Sequence, residues 1–120
     1  MENKLEFLNS KGIDTNAGLS YLGDASMYEE ILTDFKNNFI NQMNEIKKAF
    51  EAKDWPNYVI LVHALKSNCR TLGINTLADL AYNHEMKGKE NDINYIYEHV
   101  NELFTKANEI YMILDEYYKL

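Results

Sequence analysis

The chain is poor in the residues that interrupt or cross-link a backbone. Its 120 residues include Gly 5, Pro 1 and Cys 1. An all-β chain needs a turn every ten residues or so, and so few breakers do not supply one. The single cysteine, Cys69, excludes an internal disulfide and a Cys-based zinc site, and a reduced, cytoplasmic setting is expected. Basic residues are also in deficit. Lys+Arg 12 against Asp+Glu 19 leaves a formal net charge of −7. That balance does not neutralise a row of phosphates, so nucleic acid is not expected as a partner, and anionic membrane surfaces are disfavoured. There is no long apolar run, and the opening Met1-Glu2-Asn3-Lys4 leads into no apolar stretch. Neither a transmembrane span nor a signal peptide is expected.

What is present favours one domain of long helices. Hydrophobic residues make up 46% and aromatics 12%, enough for a core without staples at this length. Residues 1–12 are mostly polar and read as a short helix or a loose arm ending at Gly12. A short helix is expected over 15–22, stopped by Gly23. The first long helix, about 25–52, takes Asp24 as its N-cap. Its apolar stripe is Tyr28, Ile31, Leu32, Phe35, Phe39, Met43, Ile46 and Phe50, in steps of three and four. The second, about 55–71, is capped by Asp54, tolerates Pro56 in its first turn and stops at Gly73. The third, about 75–87, is read as capped by Asn75 and ended by Gly88. The fourth, about 92–118, buries Ile96, Val100, Leu103, Ala107 and Leu114 among others. Connections of three to five residues make neighbours antiparallel. The expected fold is all-α, an up-down four-helix bundle with an N-terminal helical appendage, in a single domain over 1–120.

One helix departs from the usual polar outer face. Around 55–71, Tyr58, Leu61, Val62, Leu65, Cys69 and Leu72 fall within about 60° of one direction, which is the core side. His63 lies about 140° away, with Lys66, Ser67 and Arg70 on its face. Val59 and Ile60 also read as pointing outward. No carboxylate occurs between Asp54 and Asp79, and Arg70 is the chain's one arginine. In an acidic protein this is a local positive and apolar patch, suited to an anionic group carried by a protein partner. An imidazole there is a potential nucleophile, and Lys66 balances added negative charge. A lone surface histidine is more often only solvated, so the wheel alone leaves both readings open.

The string His63-Ala64-Leu65-Lys66-Ser67-Asn68-Cys69-Arg70-Thr71-Leu72-Gly73 resembles the histidine phosphotransfer (Hpt) motif H-x-L-K-G-x-x-x-x-L-G. The resemblance includes the lysine three residues after the histidine and the glycine ten after it. Gly12-Ile13-Asp14, Gly18-Leu19 and Leu22-Gly23-Asp24 are similar to the family's opening, and Asp54-Trp55 to the start of its phosphorylated helix. Leu77, Leu80 and Glu85 fall where the next helix has its leucines and a frequent glutamate. The resemblance extends over about 12–115. Ser67 stands where the family usually has glycine, which bears on how closely a partner reaches the imidazole. His84 stands where an apolar residue is commoner.

The resemblance implies a phosphorelay intermediate. His63 would accept a phosphoryl group on Nε2 from the aspartyl phosphate of a response-regulator receiver domain and pass it to another receiver. Lys66 would stabilise the phosphoryl charge. Ser67, Arg70, Val59 and Ile60 would meet the partner. The receiver, not this chain, would supply Mg²⁺, so no cofactor of its own is implied. A hybrid sensor histidine kinase is the implied upstream partner, and a monomer is expected. The chain holds no G-x-x-x-x-G-K-[ST] loop and no room for an ATP-binding kinase domain, so it would carry phosphoryl groups without ATP-dependent kinase activity. Glu85 has two readings: a solvated helix glutamate, the commoner outcome, or a group orienting the imidazole through its other nitrogen. His84 reads as a packing histidine, His99 as solvated at a stripe edge, and Cys69 as a small core hydrophobe. Two other functions stay open: an Hpt-like adaptor that docks on receivers without phosphorylation, and a metal-dependent bundle enzyme. The second lacks the Glu-x-x-His pairs of di-iron bundles, since Ile60, Ala81 and Ile96 precede the three histidines by three positions.

Overall fold

Four aspartates start four of the helices. Asp14, Asp24, Asp54 and Asp92 accept from the backbone N–H of Ala17, Met27, Asn57 and Tyr95, each satisfying a donor the helix leaves unpaired. The computed structural model describes residues 4–120. Among them are six helices and no strand: α1 Leu5–Ser10, α2 Thr15–Leu22, α3 Ala25–Glu51, α4 Trp55–Leu72, α5 Asn75–Lys89 and α6 Ile93–Tyr117. Helices α3 to α6 form the expected up-down bundle, each packed on its neighbours in order and α6 closing on α3. The links are short, with two residues between α4 and α5 and three on either side.

Two boundaries differ from the sequence reading, and one open reading is decided. The segment read as a helix or loose arm is the docked helix α1, with Leu5 and Leu8 buried; residues 1–3 lie outside the described residues. Ile74, not Asn75, occupies the N-cap of α5, and no side chain caps it. Gly88 does not end α5, which continues to Lys89. Its missing Cβ serves packing instead: a Cβ there would come within 2.5 Å of Val59 Cγ2 on α4. The stop falls at Asn91, which takes the left-handed conformation at φ 61°.

The long stripes read from the sequence form the core. Tyr28, Leu32, Phe39 and Ile46 of α3 meet Tyr58, Val62, Leu65 and Leu72 of α4 and Ile96, Leu103 and Leu114 of α6. The start of α3 and the appendage together lock the far end of α4. The Tyr28 hydroxyl donates to the Leu72 carbonyl at 2.6 Å, and the Asp14 N–H donates to the Gly73 carbonyl at 2.9 Å. Gly73 sits at φ 81°, and a Cβ there would lie 1.9 Å from the Asp14 carbonyl oxygen. Only glycine fits that junction.

Candidate functional site: the histidine face of α4

The register of α4 that buries Val62, Leu65 and Cys69 turns His63 outward, with 55% of its side chain exposed. The two-residue link brings α5 back antiparallel beside this face, and Gly88 lets the two helices approach closely. The approach carries Glu85 beneath the imidazole. Its Oε2 lies 2.7 Å from His63 Nδ1, although the Glu85 side chain is only 2% exposed. Of the two readings open for Glu85, the solvated one is therefore corrected, and the geometry agrees with the other, a carboxylate against the second ring nitrogen. On the α5 wheel Glu85 lies beside the core residues, and close packing of α4 on α5 covers it.

Both carboxylate oxygens are occupied. Lys66 Nζ donates to Oε1 at 2.6 Å, and Lys89 Nζ lies 2.9 Å from Oε2. Burial pushes the Glu85 carboxyl up, but hydrogen bonds from Lys66, Lys89 and His63 outweigh it and hold the group at about 2. Glu85 is thus ionised and can only accept. The proton of a neutral His63 ring then sits on Nδ1, and Nε2 keeps the lone pair. The arrangement selects the tautomer a nucleophile at Nε2 requires.

The other residues read from the sequence are brought together around this centre, with one correction. Ile60 is exposed, as are Ser67 and Arg70. Val59 does not point freely into solvent: it is half-buried against Gly88. Lys66 is only 12% exposed, bound to Glu85 rather than waving in solvent. The sequence reading missed Tyr82. Its ring lies 5.5 Å from Lys66 Nζ and 5.3 Å from the Arg70 guanidinium carbon, so two cations lie over its face. It also missed Lys89, whose sole signal was its position four residues after Glu85.

His84 and Cys69 are packing residues, as read. Cys69 is buried, and burial pushes its thiol up. His84 is buried with its Nδ1 2.9 Å from the Tyr58 hydroxyl. His99 is half-buried rather than solvated, stacked on Tyr95 with ring centroids 4.1 Å apart. Among the described residues no group of three or more His, Cys, Asp or Glu converges as a metal site, and no helix is long and apolar enough to cross a membrane.

Fold and site together define an all-helical bundle domain that presents one oriented imidazole, backed by a carboxylate and flanked by cations, on an open face. The Hpt domain family matches residues 30–108, and the chain belongs to that family. Hpt domains perform histidine phosphotransfer in phosphorelays and generally interact with receiver domains. Comparison with curated proteins and with solved structures gives no match.

Proposed function

We propose that this protein is a phosphorelay intermediate. His63 takes a phosphoryl group from the aspartyl phosphate of one receiver domain and gives it to the aspartate of another, with a hybrid sensor histidine kinase upstream. The observation that carries this reading is the half-exposed imidazole held through Nδ1 by a buried, ionised Glu85 at 2.7 Å.

In the accepting step, Nε2 attacks phosphorus, an N–P bond forms, and the P–O bond to the aspartyl carboxylate breaks. The aspartate leaves as its carboxylate. Positive charge develops on the ring as the N–P bond forms. The Nδ1–H bond to Glu85 stabilises that charge, which makes it stronger in the transition state than before it. Lys66 supplies positive charge one turn from His63. Phosphoryl transfer asks little more of the carrier than in-line positioning and charge balance. The metal ion belongs to the receiver, so this chain contributes no cofactor. Ile60, Val59, Ser67 and Arg70 form the surface the receiver meets, and small Ser67 leaves room beside the ring.

The test uses a phosphorylated receiver as donor. Acid-labile, alkali-stable label is expected on this protein and absent from His63→Gln. Label that survives the substitution overturns the assignment. Receiver binding without any label in the native chain would support a docking adaptor instead.

A further inference from the structure

Glu85 and Lys89 are four residues apart on one helix, where ion pairs are ordinary and weak. This pair differs because its carboxylate is buried and shared. Glu85 Oε2 meets both His63 Nδ1 and Lys89 Nζ, while Oε1 meets Lys66. The common oxygen brings the Lys89 ammonium within about 6 Å of the imidazole, close enough for a charge to act on its protonation.

We infer that Lys89 is a positioning residue of the His63 site, a second cation that keeps the imidazole in its neutral, nucleophilic form. The inference rests on the phosphoryl-carrier reading. A carboxylate alone against Nδ1 would favour an imidazolium, and protonation at Nε2 removes the lone pair that attacks phosphorus. Two lysines on that carboxylate oppose that pull. With a neutral ring, Glu85, Lys66 and Lys89 sum to one positive charge, and protonating the ring raises it to two. A phosphoryl group brings negative charge to the same cations.

The charged groups facing His63 come from two helices. From α4 they are Lys66 and, one turn on, Arg70; from α5 they are Glu85 and Lys89, with the Tyr82 ring between Lys66 and Arg70. Lys87 turns elsewhere, toward Glu90 and Asp92. The Lys89 stem also lines a recess with Trp55, Pro56 and Val59, so a purely structural role must be separated from the electrostatic one. Lys89→Met keeps the stem and removes the charge.

The 120-residue chain is labelled with phosphoramidate across pH, a donor that transfers its phosphoryl group to Nε2 and releases ammonia. The acid limb of the labelling rate is expected to move up by about one pH unit in Lys89→Met. It returns in Lys89→Arg and stays unmoved in Lys87→Met. The ¹⁵N signals of the His63 ring, recorded on unphosphorylated protein, should titrate with the same displacement. Unmoved ring titration and an unmoved acid limb in Lys89→Met overturn the inference, as does a slower rate with no change of pH profile. A native chain that takes no label from phosphoramidate or from a receiver defeats the carrier reading instead, and the ring titration still decides the role of Lys89.

Discussion

The Tyr58 hydroxyl and Nδ1 of His84 share a hydrogen bond of 2.9 Å inside the α4–α5 interface. Burial pushes the Tyr58 phenol up, so it stays protonated. Nε2 of His84 is, among the described residues, the buried side-chain atom left without a partner. Burial lowers His84 from its ordinary 6.5 to about 4.

That depression makes acid stability a test of the pair. Below pH 6.5 the unfolded chain protonates His84 and the folded one does not. Stability should fall as pH drops from about 6.5 to about 4, by about 3 kcal/mol in all, and then level for this group. Glu85, depressed to about 2, adds a further loss below its ordinary 4.5. Urea unfolding at pH 7, 5.5 and 4.5 measures the slope. A Tyr58→Phe/His84→Leu double variant should flatten it between pH 6.5 and 4.5.

Glu85→Gln keeps an acceptor near Nδ1 and removes the charge. It should slow phosphoryl transfer about tenfold, the scale of one charge-assisted hydrogen bond over a neutral one. Glu85→Ala should slow it further. Single-turnover transfer from a phosphorylated receiver reads the difference, and equal rates in all three proteins would remove Glu85 from the site.

Lys66 is bound to Glu85 at 2.6 Å. Lys66→Ala should lower the transfer rate with the fold intact, because Lys66 contributes both positive charge and a fixed carboxylate. Far-ultraviolet circular dichroism checks the fold and label transfer checks the rate. An unchanged rate contradicts the electrostatic role.

Ser67 is exposed four residues after His63, on the same side of α4. A Ser67→Leu variant should fold normally and accept label from phosphoramidate at a near-native rate. Its transfer from a receiver should fall at least tenfold, since a large side chain there blocks a protein but not a small donor. Equal losses with both donors would point to a damaged histidine rather than a blocked surface.

Gly73→Ala is expected to be the most damaging single methyl group in the chain. It meets the positive φ and the Asp14 carbonyl at once. A loss of about 3 kcal/mol or more is expected in thermal or urea unfolding. Amide exchange should show α2 released first, since its link to the end of α4 is the bond broken.

Much of this was legible in the sequence where local chemistry decides. Asp24 and Asp54 announced their helices because a side-chain oxygen at an N-cap acts within three residues. Gly73 announced its stop because a left-handed cap is also local. Gly88 was misread because its reason lies on another helix, in the methyl of Val59. The same distance in sequence left Glu85 with two readings. A helical wheel places it at the edge of α5 but does not show how closely α4 approaches there. Lys89 and Tyr82 escaped because each acquires meaning only from a partner on α4 or from the carboxylate that α4 covers. His63, Lys66, Ser67 and Arg70 were legible as a group because they share one face of one helix.

The Gly88 contact and the two-residue link between α4 and α5 have a further consequence. Among the described residues, the bonded groups of this centre come from one helical hairpin: His63 and Lys66 from α4, Glu85 and Lys89 from α5. On the proposed reading, a partner that exchanges the phosphoryl group needs to dock only on that hairpin, and α3 and α6 stay free of the contact.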